Sequence, residues 1–160
     1  MEEKSISFGD PMARAILAGT KTQTRRTTGL EHINEEPDYW FRAERCEAGR
    51  EFRFTGGDRD KVLTWGESYV TPRYQIGDRV RTARIWLEIT DVRAERLQQI
   101  SEVDAKAEGV EPENAECGCP GGPYRNAFCW LWDSLYEQRA GLSWDDNPYV
   151  FVYGFRLIAQ

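Results

Sequence analysis

The segment Gly19-Thr20-Lys21-Thr22-Gln23-Thr24-Arg25-Arg26 gathers a lysine, two arginines and three threonines within eight residues. A lysine ammonium is a compact point charge, and an arginine guanidinium is a planar fork matched to phosphate or carboxylate. In an extended chain Lys21, Gln23 and Arg25 project to one side, and Thr22, Thr24 and Arg26 to the other. A local twist or bulge would bring Lys21 and Thr24 together. Composition alone also fits a solvated basic edge strand, because such residues are mostly exposed. The charge around the segment is local. Residues 1–29 carry five basic and three acidic side chains, whereas residues 30–60 carry five basic and nine acidic. The whole chain of 160 residues has a net charge of -6. An acidic protein does not hold long duplex DNA by bulk electrostatics, which needs many phosphate neutralisations. A small basic pocket is compatible with that balance.

The elements that must position this segment follow from pattern. Ser5-Ile6-Ser7-Phe8 alternates and reads as a strand. Asp10 is a candidate cap for a helix over about 10–18, with Pro11 at its first position and Gly19 as its stop. The four threonines between Lys21 and Thr28 favour an extended segment. Residues 29–76 carry the weakest pattern, apart from a hairpin signal from Arg50–Phe54 through Gly56-Gly57-Asp58 to Val62–Trp65. That region reads as a variable, acidic, partly mobile insertion at about 30–76 on a single domain spanning 1–160. Gly77-Asp78 is a turn, and Ile85–Val92 alternates as the clearest strand. Ser101 with Asp104 opens a short helix over about 101–108, ended by Gly109. A second helix, about 124–139, carries Phe128, Leu131, Trp132 and Leu135 as an apolar stripe. Pro148–Ile158 reads as a final strand. Short strands with a few short helices predict an α+β fold, a small, mainly antiparallel β-barrel with helical decoration.

Gly19-x-Lys21-x-x-Thr24-x-Arg26 resembles the signature of the ASCH domain family, whose fold is a PUA-like barrel. Gly77-Asp78-Arg79-Val80 resembles that family's turn into a barrel strand. Val92–Leu97 with Ile100–Gly109 is similar to the strand and helix that follow. Phe128–Ser134 and Trp144–Val150 are similar to the closing helix and strand of phage and prophage members. The chain departs from those members where Arg79–Arg84 passes almost directly into Ile85, with a shortened segment after Gly77-Asp78. The resemblance implies removal of the acetyl group of N4-acetylcytidine, with Lys21, Thr24 and Glu108 at the catalytic positions. It implies Thr22, Arg25 and Arg26 as substrate- or nucleic-acid-binding residues. The residue types suit that chemistry. A threonine hydroxyl attacks an amide carbonyl once a base takes its proton, and a lysine serves as base when desolvation or a like charge lowers its pKa. Arg25 or Arg26 would supply the like charge, and Glu108 would activate water or protonate the leaving amine. The motif is expected to border solvent in the pocket.

No cofactor and no metal is expected. Cys46, Cys117, Cys119 and Cys129 make an even count, but Cys117-Gly118-Cys119 has a one-residue spacer, shorter than usual paired zinc ligands. Neutral or buried thiols are the plainer reading. Phe128, Trp132, Tyr149, Phe151, Tyr153 and Phe155 fall at core positions, while Trp65, Trp86 and Trp144 are the candidates for stacking on a base. The acidic start Met1-Glu2-Glu3-Lys4 does not read as a signal peptide, no apolar run would span a membrane, and a cytoplasmic location is expected. Three functions stay open. One is hydrolysis of an acylated pyrimidine nucleoside. Another is an RNA-binding or ribonuclease-type module that holds a modified nucleoside or single-stranded RNA. The third is a phage-type protein that binds a host or phage protein through its acidic segment.

Overall fold

A computed structural model describes residues 3–58, 63–83, 85–112 and 121–159. These residues form eight strands and three α-helices. Strand β1 (Lys4–Ser5) leads into helix α1 (Asp10–Leu17) and then strand β2 (Gln23–Arg26). Strands β3 (Trp40–Arg45), β4 (Phe52–Asp58) and β5 (Leu63–Val70) come next, followed by β6 (Arg79–Thr82) and β7 (Ile85–Arg96). Helices α2 (Glu102–Ala107) and α3 (Pro123–Tyr136) precede the last strand, β8 (Tyr149–Ala159).

Five strands form one sheet in the order β1-β6-β7-β8-β2, and β3-β4-β5 form another. All pairings are antiparallel except β1 with β6. The fold is therefore mixed α and β. Strand pairing gives two sheets, and neither closes on itself among the described residues into the expected barrel.

Long antiparallel β7 and β8 carry the architecture. Ile85, Leu87, Ile89 and Val92 are buried on β7, and Val150–Tyr153 are buried on both faces of β8. One face of β8 meets the main core, where Tyr149, Phe151 and Tyr153 lie. The other meets a second core made with α3, where Val150 and Val152 pack with Phe128, Trp132 and Trp144. This double burial accounts for the continuous apolar run of the last strand. Trp144 is thus a core residue and is not available for stacking on a base.

Residues of the 30–76 region contribute to the main core. Leu30, Ile33 and Phe54 are completely buried, and Phe52 and Val70 join them in the main core. Phe54 meets Tyr149 edge-on at 5.2 Å between centroids, and Phe52 meets Phe151 at 5.6 Å. The anticipated hairpin is β4 with β5, and β3 is a further strand beside it. Helix α1 begins one residue earlier than expected. Gly9 holds the cap position, and Asp10 lies in the first turn, where its charge favours the helix dipole. The N-terminal strand is shorter than expected, although the Ile6 amide still donates to Arg81 O at 3.0 Å.

The two later helices are fixed by carboxylate and hydroxyl caps. Ser101 accepts from the Asp104 amide at 3.1 Å at the start of α2. The Glu102 carboxylate reaches across to the start of α3 and accepts from the Tyr124 and Arg125 amides, both at 2.8 Å. Gly122 at that junction has φ +111, and a Cβ there would lie 2.6 Å from the Glu102 carboxyl carbon. Cys117 and Cys119 lie outside the described residues, as does the Trp65 side chain. Among the described residues, no cluster of His, Cys, Asp and Glu could hold a metal ion, and no helix is long and apolar enough to cross a membrane.

Candidate active site

The end of α1 turns the chain into the motif. The Thr20 and Lys21 amides both donate to Ala15 O, at 3.0 and 3.1 Å. Thr22 then donates to Ala107 O at 2.8 Å, and its own carbonyl accepts from Phe155 N at 2.9 Å. The end of α2 is thereby laid against the start of β2, with Lys21 and Glu108 facing each other as a single antiparallel bridge. Gly109 permits this approach. Its φ is +86, and a Cβ there would lie 2.7 Å from the Lys21 Cβ.

Lys21 Nζ donates to Gln23 O at 3.0 Å, to Glu108 O at 2.8 Å and to Glu108 Oε2 at 3.2 Å. An ammonium has three hydrogens, and all three are engaged. Glu108 Oε1 accepts from Arg25 at 2.7 Å, so one carboxylate lies between two cations. Arg25 is fully buried and also meets Gln23 Oε1 at 2.8 Å, Glu95 at 2.7 Å and Asp104 at 3.3 Å. Arg93 closes the network on Asp104 at 2.6 Å. Burial pushes the Lys21 ammonium below its usual range. Glu108 opposes that shift by charge and hydrogen bond, while Arg26 and Arg25 add to it.

Lys21, Arg25 and Glu108 line a cavity of about 350 Å³. Its polar wall holds Lys21, Thr24, Arg25, Arg26 and Glu108, and its apolar wall holds Phe8, Met12, Phe128, Leu131 and Trp132. Lys21 and Arg26 both lie over the Phe8 ring, 5.4 and 5.3 Å from its centroid. Thr24 is 4% exposed, and its hydroxyl has no hydrogen-bond partner among the described residues. Arg26 donates to Ser7 O at 2.7 Å and meets no carboxylate among the described residues. The Nε atoms of Arg25 and Arg26 are buried without a partner.

The structure brings Lys21, Thr24, Arg25, Arg26 and Glu108 to one cavity, whereas Thr22 is exposed and does not line it. Lys21, Thr24, Arg25 and Glu108 are all buried, although they line the cavity. Sequence reasoning missed Gln23, Glu95, Arg93 and Asp104 as partners of the cluster. Asp104 was visible only as a helix-start residue. Phe128 and Trp132 were read as core, which they are, but they also wall the cavity. Across this cavity the arrangement sets an unpartnered hydroxyl, a lysine–carboxylate pair and an apolar wall.

The sequence matches no family model, and no curated protein matches it. Two solved structures resemble the fold. One is protein EF3133 from Enterococcus faecalis V583, described by the family model DUF984. It has a TM-score of 0.52 and 10% identity over 99% of this chain and 82% of that one. The other is an ASCH domain from Lactobacillus crispatus JV V101, with a TM-score of 0.49 and 16% identity over the same shares. At these identities the likeness concerns fold and not activity. The chain shares its overall fold with EF3133, and an ASCH domain stands among the structures it resembles.

Proposed function

We propose that the protein binds an acylated pyrimidine nucleoside in the cavity and hydrolyses its exocyclic amide, as for N4-acetylcytidine. The observation that carries this reading is the meeting of Lys21, Thr24 and Glu108 in one cavity with an apolar wall. A volume of about 350 Å³ lies within the usual range for small-molecule sites. The planar base packs against the apolar wall. The buried Nε atoms of Arg25 and Arg26 leave donor capacity that the protein does not satisfy.

The lysine–glutamate pair is the proton reservoir. Moving a proton from Lys21 Nζ to Glu108 Oε2 along their 3.2 Å hydrogen bond gives a neutral amine and a neutral acid. Burial favours the neutral amine, because it penalises the ammonium charge. The neutral Lys21 takes the Thr24 proton as the hydroxyl oxygen attacks the acetyl carbonyl carbon. The C–N bond then breaks, Glu108 delivers its proton to the leaving amine, and an acetyl ester remains on Thr24. Water, deprotonated by the Glu108 carboxylate, hydrolyses the ester to acetate and regenerates the hydroxyl.

A second reading has its own observation. All three Lys21 hydrogens are already held by protein oxygens, which is what a rigid binding module for a modified nucleoside or single-stranded RNA would show. Incubation with N4-acetylcytidine separates the two. Chromatography shows cytidine and acetate under the first reading, and unchanged ligand with a saturable binding isotherm under the second.

A further inference from the structure

Beside the main cavity lies a second one of about 250 Å³, lined by Ser5, Ser7, Arg26, Thr28, Arg73 and Tyr74, among others. The two share Ser7 and Arg26. The character changes across that boundary: the first cavity has a broad apolar wall, whereas hydroxyls and arginines dominate the second.

Its charge is unbalanced. Three cations act on the Tyr74 phenol: Arg73, Arg26 and Lys4. Lys4 is neutralised by Asp78 at 2.6 Å. Neither Arg26 nor Arg73 meets a carboxylate among the described residues. Arg26 spends one terminal nitrogen on Ser7 O, and its Nε is buried without a partner. Arg73 is exposed and only overlies the Tyr74 ring, 5.6 Å from its centroid. By contrast, Arg25 beside it meets three carboxylates. In a protein of net charge -6, two uncompensated arginines converging on one cavity mark a place for an anion. Two guanidinium forks with serine and threonine hydroxyls match the oxygens of a phosphate.

We propose that the cavity between Arg26 and Arg73 binds a phosphate group, and that the natural ligand is a nucleotide whose base occupies the adjoining cavity. The phosphate half stands on the arginines alone, and the nucleotide half rests on the nucleoside reading above. Arg26 is the hinge of the arrangement, since it lines both cavities. A phosphate monoester can come from a free nucleotide or from the end of an RNA strand, and the same two arginines would hold either.

The test is amide NMR titration of the whole protein with inorganic phosphate, cytidine, cytidine 5′-monophosphate and a short 5′-phosphorylated cytidine oligonucleotide. Inorganic phosphate is expected to shift the amides around Ser7, Arg26 and Arg73 saturably, and R73A to weaken it about tenfold, as for one lost charged hydrogen bond. Because Arg73 is exposed, R73A should leave the fold intact. The monophosphate should bind at least about tenfold tighter than cytidine to the wild type, with the gain lost in R73A. Tighter binding of the oligonucleotide than of the monophosphate assigns the phosphate to RNA, and equal binding assigns it to the free nucleotide. Absence of phosphate shifts at these residues, or equal affinity in R73A, overturns the proposal. Phosphate binding without any contribution from cytidine retains the anion site and overturns the nucleoside reading instead.

Discussion

Glu108 holds Lys21 twice, through its backbone carbonyl at 2.8 Å and its carboxylate at 3.2 Å. The first grip is fixed by the backbone at the end of α2, so it does not depend on the Glu108 side chain. The second grip is the one that the proposed mechanism uses as its proton path. Under that reading, anchoring and proton exchange run through different atoms, and the ion pair is neutralised without moving the side chains.

Thr24→Val is the cleanest probe of the reaction. The hydroxyl has no protein partner among the described residues, so its removal leaves nothing unpaired. Thermal unfolding is expected to change by less than about 1 kcal/mol, while release of cytidine from N4-acetylcytidine falls by at least about 100-fold. Full activity in the variant would remove Thr24 from the chemistry.

Lys21 and Glu108 cannot be probed so simply, because both are almost fully buried. Lys21→Met leaves a buried carboxylate short of a partner, and a loss of about 3 kcal/mol or more is expected in urea unfolding. The double variant Lys21→Met/Glu108→Gln should lose less than the sum of the two single losses, with a coupling of at least about 1 kcal/mol. Strict additivity would show that the pair is not coupled in solution.

The pH dependence has a fixed sign. The Lys21 pKa in the fold is lowered from its usual 10.5. Between the lowered value and 10.5 the unfolded chain binds more protons than the fold, so stability rises with pH across that window. Relative to Lys21→Met, the wild type should gain stability between neutral pH and 10.5, measured by urea unfolding. Under the proposed mechanism, turnover should fall as the pH rises through the lowered Lys21 pKa, because the proton that the pair shares and Glu108 delivers to the leaving amine is then lost. A wild-type curve parallel to that of the variant would contradict the shift.

Two glycines give a matched comparison. Gly109 and Gly19 both have positive φ, +86 and +78, but a Cβ at Gly19 meets nothing within 4 Å. Gly19→Ala should cost only the backbone strain, about 1–2 kcal/mol. Gly109→Ala adds a 2.7 Å collision with the Lys21 Cβ, and should cost more and displace the lysine. Equal losses in thermal unfolding would show that the contact relaxes freely.

Phe54→Ala should destabilise by about 3–5 kcal/mol, since Phe54 is completely buried against Tyr149. Hydrogen exchange in Phe52–Phe54 is expected to be as slow as in Ile85–Val92, because both belong to the main core. Fast exchange there would mean that the three-stranded sheet opens independently.

Local signals were legible where a residue acts on its own neighbours. Ser101 and Asp104 announced α2, Gly109 announced its end, and Phe128 and Trp132 announced the buried face of α3. Alternation announced β7 and the hairpin of β4 with β5. Strand β3 was not legible, because most of Trp40–Arg45 is half-buried and only its third and sixth residues are exposed, so no period of two appears. Leu30 and Ile33 gave no pattern either, since they enter the core from turns rather than from a repeating element. At the site, Lys21, Thr24 and Glu108 could be named from the resemblance. The charge partners of Arg25 could not, because Glu95, Asp104 and Glu108 arrive from β7, α2 and the end of α2 only when the chain has folded.

The clamp of Glu102 on the first amides of α3 makes one side chain a joint between two helices. It fixes the start of one helix directly to the start of the other, with Glu108 at the far end of α2 and Phe128 and Trp132 farther along α3. The polar and apolar walls of the cavity are thereby linked through a carboxylate. A displacement of either helix would be transmitted to the other, so the cavity would change position before it changed width.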